Sequence, residues 1–574
     1  MMISKFSLTP VLFFLLFSLY GQNQLPIPDT ISGTNFELNL QNGTVQFYEG
    51  QETTTMGTNG NILGPTLFMN KNDFVNIHVN NNIEDTTTIH WHGMHVSAAN
   101  DGGPHTTIAP GESWNPKFTV LDKAGTYWYH PHLHEKTNKH VSFGIAGFIV
   151  VRDNEEKALS LPRTYGVDDF PLVVQTKDFD ENNQIIVPSN SDDVPMVNAT
   201  INPFLEVPAQ MVRFRLLNGS SQRVFNLGLT GNQVFYQIGS DGGLLNKPVA
   251  HTRLQMAPGE RAEIVIGFSE MKGNSIQLMS YASELSNGIY GAAYPGMGFM
   301  MTLIGYNPNP LNGINFKLLE FRVVDSTTNP VILLPETLVN DIPLSENQAK
   351  TTRNLVFTPS QMGPNQLNGN FLINGQHFNM DVINFSIPLN NTEIWTIANQ
   401  SAIAHPFHIH DVQFYVLDRN GLTPPVSEQG RKDVILIHPM ETVRFITQFT
   451  DFANDSVPYM LHCHMLTHED KGMMLQFEVV DQTTRIQQMV INNDVVKFYP
   501  NPLSSKNSIL SVSGIKSELV KYELYDLLGQ LSIKGEESIK NNSFQIDVSG
   551  IKPGAYLIKI WADNSTYQQK IVVK

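Results

Sequence analysis

Short runs that alternate apolar and polar residues recur along the whole chain, among them Asp73-Phe-Val-Asn-Ile-His-Val79 and Arg213-Phe-Arg-Leu-Leu217. A two-residue period puts successive side chains on opposite faces, so each run reads as a half-buried β-strand. Val, Ile, Thr, Phe and Tyr fill the runs, and Gly, Pro, Asn and Asp punctuate them, which is the chemistry of strands and turns. Long 3.6-residue periodicities are missing from the sequence. The pattern predicts an all-β chain of antiparallel sandwiches or barrels, repeated several times.

The runs group into β-domains over roughly residues 25–155, 165–320 and 350–482, with linkers near Pro162 and through 325–352. Three segments echo one another: Asp73–Val79, Gln210–Leu216 and Thr392–Ile397, each followed by an Asn and a polar turn. They read as the same strand of three related domains. Beyond Gln482 a polar stretch leads to Phe498-Tyr-Pro-Asn-Pro502, Leu524-Tyr-Asp-Leu-Leu-Gly-Gln530 and Gly550-Ile-Lys-Pro-Gly-Ala-Tyr-Leu-Ile-Lys559. Residues 497–574 form a further small β-domain without histidine or cysteine, and therefore without redox chemistry. At the other end, Lys5 precedes an apolar stretch from Phe6 to Tyr20 that suits an export signal, cleaved near residue 21, and is short for a membrane span.

With 574 residues and 41% hydrophobic content, the chain supports several ordinary cores. A net charge of -16 argues against nucleic acid and anionic membrane surfaces as partners. Cys463 is the single cysteine, so no internal disulfide is possible and that residue serves another purpose. A monomeric state is expected.

That purpose is legible in its surroundings, Leu461-His-Cys-His-Met-Leu-Thr-His-Glu-Asp-Lys-Gly-Met473. A thiolate, imidazoles and a thioether are the ligands of blue-copper sites. On a strand His462 and His464 share one face and Cys463 the other, so the triplet can join two metal sites. Three more clusters carry histidine pairs two residues apart: His90-Trp-His92, His130-Pro-His132 and His408-Ile-His410. Any single pair is compatible with ordinary core or surface histidines. Eight imidazoles converging from four strands suit two or more copper ions better than one zinc. His405 and His468 can turn away from that face and join Cys463 in a trigonal set, with Met473 or the adjacent Met474 as a weak axial ligand. The run Gly296-Met-Gly-Phe-Met-Met301 could receive a soft cation, but reads better as core packing.

In this order, His90-Trp-His-Gly93, Trp128-Tyr-His-Pro-His132, His405-Pro-Phe-His-Ile-His410 and His462-Cys-His-x3-His468-x4-Met473 resemble the four copper motifs of the multicopper oxidases. The resemblance spans about residues 35–482. It implies three cupredoxin-like Greek-key domains and four copper ions, one type 1, one type 2 and two type 3. His90 and His408 would bind type 2 copper; His92, His130, His132, His410, His462 and His464 the type 3 pair. His405, Cys463, His468 and Met473 would bind type 1 copper, and the ten-residue offset from Cys463 selects Met473 over Met474. Asp101 and Glu469 resemble the family's proton-delivery acids; Asp101 could instead be a turn residue, and Glu469 or Asp470 an orienting partner for a ligand. The implied activity couples four one-electron oxidations of a phenolic or similar donor to reduction of O2 to water. Alternatives are a cuprous oxidase for copper tolerance and a copper carrier without turnover. The former is disfavoured because Ser401-Ala-Ile-Ala404 stands where cuprous oxidases have an Asp and a Met. Residues 497–574 resemble the C-terminal sorting domain of type IX secretion cargo, which implies the type IX machinery as partner. The destination would be secretion or the cell surface of a Gram-negative bacterium.

Overall fold

The computed structural model describes residues 22–574 apart from 190, 297–308, 362–366, 482–495, 504–507, 516, 527–529, 541 and 563–564. The expected leader, most of the Met-rich run and the Leu-Leu-Gly turn at 527–529 lie outside the described residues. Strand makes up 48% and helix 6%, so the fold is all-β, as the alternation predicts. The chain divides into two compact units, one ending at Val480 and the other beginning at Asp481.

The first unit contains three pairs of sheets with one recurring topology. Strand Phe74–Asn81 is parallel to Asn35–Val45 and antiparallel to Ser113–Trp114 and Lys117–Thr119. Met211–Asn218 is parallel to Asp169–Lys177 and antiparallel to Arg261–Gly267. Asn391–Asn399 is parallel to Thr351–Pro359 and antiparallel to Thr442–Phe449. The three echoed segments therefore occupy one position in three sandwiches. A second parallel pairing also recurs: Thr66–Asn70 with Gly147–Arg152, Pro203–Pro208 with Phe316–Val324, and Phe385–Pro388 with Met474–Val480. Parallel neighbours need crossovers rather than hairpins, which gives each sandwich its Greek-key character.

Alternation explains the cores. On Asn35–Val45, Phe36, Leu38 and Leu40 are buried while Asn35 and Glu37 are exposed. In the third sandwich Phe357, Trp395, Phe407, Phe445 and Leu461 share one core, and Cys463 and Met473 belong to it. The candidate sulfur ligands thus sit in a dry interior.

Buried charge joins the sandwiches. Arg213 and Arg215 pair with Glu156, Asp169 and Glu263, and Arg215 also donates to Thr126 on strand Gly125–His130 of the first sandwich. Charges at such depth persist only when paired. Between the first and third sandwiches, His95 places Nδ1 at 2.9 Å from an Asp411 carboxylate oxygen and Nε2 at 3.1 Å from Asp451, while its backbone N–H donates to Asp122. Burial alone would lower the His95 pKa, but Asp411, Asp122 and Asp451 outweigh it and raise it to about 10. A raised folded-state pKa adds stability that is complete below the ordinary value near 6.5 and is lost as pH climbs toward about 10. His95→Gln should therefore cost roughly 2–3 kcal/mol at pH 6. In thermal unfolding the gap to wild type should close steadily between pH 7 and 10; a constant gap would contradict the assignment.

The second unit packs Lys497–Tyr499, Ile509–Ser513 and Ser543–Asp547 against the four-stranded sheet of Leu519–Asp526, Leu531–Ser538, Gly554–Ala562 and Ser565–Val573. Leu510, Val512, Leu524, Ile546, Ile558 and Ile560 fill its core.

Candidate metal centre

Cross-strand register brings the histidines together. His130 pairs with His90 and Trp128 with His92 in the first sandwich. His408 pairs with His462 and Phe407 with Cys463 in the third. Directly paired residues share a face. Alternation along His405–Ile409 separates His408 from His405, so Cys463 faces the core with His405 while His462 faces the histidine cluster with His408. The expectation of four in-strand pairs needs correction. Only His90 and His92 lie together inside a strand; His132, His410 and His464 follow the ends of Gly125–His130, His405–Ile409 and Tyr459–Cys463. Ladder pairing stops at the meeting of two sandwiches, and the turns beyond it aim those three rings.

All eight imidazoles are buried. His132 Nε2 is 3.0 Å from His462 Nε2 and 3.2 Å from His410 Nε2, and His92 Nδ1 is 3.3 Å from His130 Nε2. His90, His408 and His410 make a further close group. The His464 ring lies 4.9 Å from His92 and 5.4 Å from His130 between centroids. Outward nitrogens are capped by acceptors. Nδ1 of His90, His130, His408 and His462 donates to the backbone oxygens of Asp101, Pro131, Asp433 and Cys463 at 2.8–3.1 Å. His410 Nδ1 donates to Asp101 Oδ2 at 2.6 Å and His92 Nε2 to Asp433 Oδ1 at 3.1 Å. A carbonyl or carboxylate only accepts, so these partners assign the ring proton to the outer nitrogen and leave inner lone pairs facing one another.

Lone pairs at such separations repel unless a cation lies between them. His90 Nε2, His408 Nε2 and both His464 nitrogens have no hydrogen-bond partner. Burial and neighbouring imidazoles hold His92, His130, His408, His410 and His462 well below the usual histidine range, and His132 and His464 at about 3. Neutral, oriented imidazoles are what a copper ion requires.

The second constellation is the sulfur site. Cys463 Sγ lies 3.6 Å from both His405 Nδ1 and His468 Nδ1. Their outer nitrogens donate to Ser401 Oγ and to the Leu367 carbonyl, each at 2.9 Å. Phe371 packs on both rings at 4.6 Å. Burial pushes the Cys463 thiol well up, so only a bound cation would draw off its proton here. Met473 shares the core of Cys463, whereas Met474 pairs directly with His462 and lies on the other face.

Of the two candidate acids, Asp101 ends the short helix Ala98–Asp101, closed by Gly102 in the left-handed region, and holds the outer N–H groups of His90 and His410. Glu469 lies on helix Leu466–Asp470 with its carboxyl oxygens 3.4 Å from His132 Nδ1 and 3.3 Å from His462 Nδ1. Burial raises its pKa well above the carboxylate range. Asp470 accepts the amides of Thr137 and Asn138, and burial pushes it up to about 7. Sequence reasoning missed Asp433, which holds His92 and His408, and its partner Arg261. No local pattern marks them, because Asp433 is 341 positions from His92 and 172 from Arg261.

Comparison with known proteins agrees with this geometry. Family profiles described as multicopper oxidase match residues 39–156 and 346–483, and one described as secretion system C-terminal sorting domain matches 497–574. The multicopper oxidase mco of Staphylococcus haemolyticus is 32% identical over 477 residues, 80% of this chain and 93% of its own length. The cell division protein FtsP of Xenorhabdus nematophila is 30% identical over 79% of this chain and 92% of its own. Among solved structures, the laccase-like multi-copper oxidase CueO from Ochrobactrum sp., described with oxidase activity towards lignin model compounds and lignosulfonate, is 32% identical. It aligns with a TM-score of 0.69 over 79% of this chain and all of its own.

Proposed function

Because this chain belongs to the multicopper oxidase family and ends in a secretion sorting domain, we propose that it is an exported oxidase. It takes electrons singly from a phenolic or similar organic donor and reduces O2 to water. The observation that carries this reading is the eight-imidazole cluster, six of whose rings have a capped outer nitrogen, joined by the His462-Cys463-His464 backbone to a separate thiolate site. Copper when bound supplies one-electron exchange at the thiolate site and four-electron reduction of O2 at the histidine cluster. His405, Cys463, His468 and Met473 would hold one ion; His90 and His408 would hold a second; His92, His130 and His464 with His132, His410 and His462 would hold the remaining pair.

The chain's own groups do the rest. Asp101 and Asp433 hold ring protons outward and keep lone pairs inward. Glu469, its pKa raised by burial and its oxygens 3.4 and 3.3 Å from two rings, is placed to store a proton beside the site where oxygen is reduced. Dry packing by Phe371 and the third core keeps water from the sulfur. The outer nitrogen of His405 meets the neutral hydroxyl of Ser401, which favours an organic donor over cuprous ion. The kinship with FtsP raises a non-catalytic alternative, but the complete set of candidate ligands favours turnover. The sorting domain supports passage through type IX secretion to the medium or cell surface of a Gram-negative bacterium.

Oxygen uptake by the copper-loaded chain should be fastest with a diphenol, when compared side by side with bilirubin and Cu(I). Four bound copper ions without oxygen consumption from any donor would sink the oxidase reading; Cu(I) outpacing the organic donors would move it to the cuprous class.

A further inference from the structure

The second sandwich contributes none of the clustered imidazoles, yet Gly259 packs against one of the rings and Arg261 reaches another through Asp433. Gly259 has φ +85°, and a Cβ there would fall 2.9–3.0 Å from His464 ring atoms. Two residues on, Arg261 is fully buried, and its guanidinium forms a two-pronged bond to Asp433, with Nη1 donating to Oδ1 at 2.6 Å and Nη2 to Oδ2. The same fork donates to the carbonyls of Thr126, Gly259 and Asp241 at 3.0–3.2 Å. Asp433 in turn accepts His92 Nε2–H on Oδ1 and His408 Nδ1–H on its backbone oxygen. At Gly93, next to His92, a Cβ would come within 2.5 Å of Asp433 Oδ2 and collide with the Arg261 fork, so the absence of a side chain there makes room for it.

His92, His408 and Asp433 are close enough to suggest a metal triad of their own. The fork excludes this, because it occupies both carboxylate oxygens with positive charge. Beneath it, Lys432 Nζ lies 3.0 Å from Asp241 and 2.9 Å from Glu260, so two cations and three acids fill the joint between the second and third sandwiches.

Resting on the copper reading above, we infer that Arg261 is a positioning residue for the histidine cluster. Acting through Asp433, it fixes His92 with Nδ1 inward and anchors the strand that carries His408. A guanidinium is suited to this because its planar fork sets the rotation of a carboxylate as well as its place. A lysine keeps the charge but grips one point, leaving Asp433 free to turn and the His92 ring free to flip its two nitrogens.

The test uses the copper-loaded full-length chain as wild type, Arg261→Lys and Arg213→Lys. Arg213 is an equally buried arginine of the same sandwich, bonded to Glu263 and Glu156 and to none of the imidazoles. Copper per chain, the type 2 electron paramagnetic resonance signal, the blue absorption and unfolding of the copper-free protein are measured together. Arg261→Lys should lose copper from the histidine cluster or shift the type 2 signal while keeping the blue absorption. Arg213→Lys should lower stability and leave copper content and spectra native. Native copper and type 2 signal in Arg261→Lys, or equal changes in both variants, would overturn the inference. Should Arg261→Lys fail to fold, Asp433→Asn keeps an acceptor for His92 in nearly the same volume but breaks the two-pronged bond; copper lost from the histidine cluster there supports the role, and native copper content with native spectra refutes it. A wild-type chain that takes up only the blue copper overturns the underlying reading of the cluster, a result distinct from a native-looking variant.

Discussion

Cys463→Ser should abolish the blue absorption and reduce donor oxidation to background, while the histidine cluster keeps its copper. The sulfur lies 3.6 Å from both His405 Nδ1 and His468 Nδ1 and belongs to the residue flanked by His462 and His464. A serine hydroxyl fills nearly the same buried space, so the third sandwich should still fold. It is a hard donor that does not ionise in a dry core, and copper of the blue type depends on a soft thiolate. Copper content should fall from about four to about three ions per chain, the set expected when one of these sites is lost. Metal analysis and visible spectra decide it: a retained blue band would refute the placement of the thiolate site, and loss of all copper would show that the two sites do not load independently.

Glu469→Gln should slow oxygen consumption by roughly 10²–10⁴-fold, the usual worth of a placed proton donor. Gln matches Glu in shape and its amide oxygen can still accept from one of the two rings, so copper loading and colour should survive. What disappears is the proton. In the native chain burial raises the Glu469 pKa well above the carboxylate range, and its two oxygens lie within 3.4 Å of rings on opposite sandwiches. The step affected can be isolated by mixing: excess donor under argon should bleach the blue colour at the wild-type rate, and recolouring on admission of O2 should be slow. Recolouring at the wild-type rate would remove Glu469 from the proton path and leave it as a holder of His132 and His462. Asp101 has a different setting, since it accepts from His410 and lies 3.3 Å from His90 Nδ1, which supports an orienting role for those rings.

The two acids differ in what local sequence could reveal. Asp101 and Glu469 both stand beside motifs, and proximity in the chain was enough to select them. Distinguishing a ring holder from a proton store required knowing which nitrogen each oxygen meets, and one ring on each acid, His410 on Asp101 and His132 on Glu469, comes from a segment more than 300 positions away. For the axial ligand the resembled motif's offset already selected Met473, and the structure adds that Met474 pairs with His462 on the other face.

By itself the sequence determined the all-β class, the three-fold echo of strands, the candidate ligands and their division into a thiolate set and an imidazole set. Each of these rests on short-range periodicity or on residue chemistry within a few positions, which the backbone expresses locally. Only the tertiary structure decided how His132, His410 and His464 are aimed from turns beyond their strands, which ring nitrogens face inward, and that Arg261 and Gly259 of the ligand-free sandwich brace the cluster. Those features come from register and packing between sandwiches, where contacts join residues that no local pattern relates.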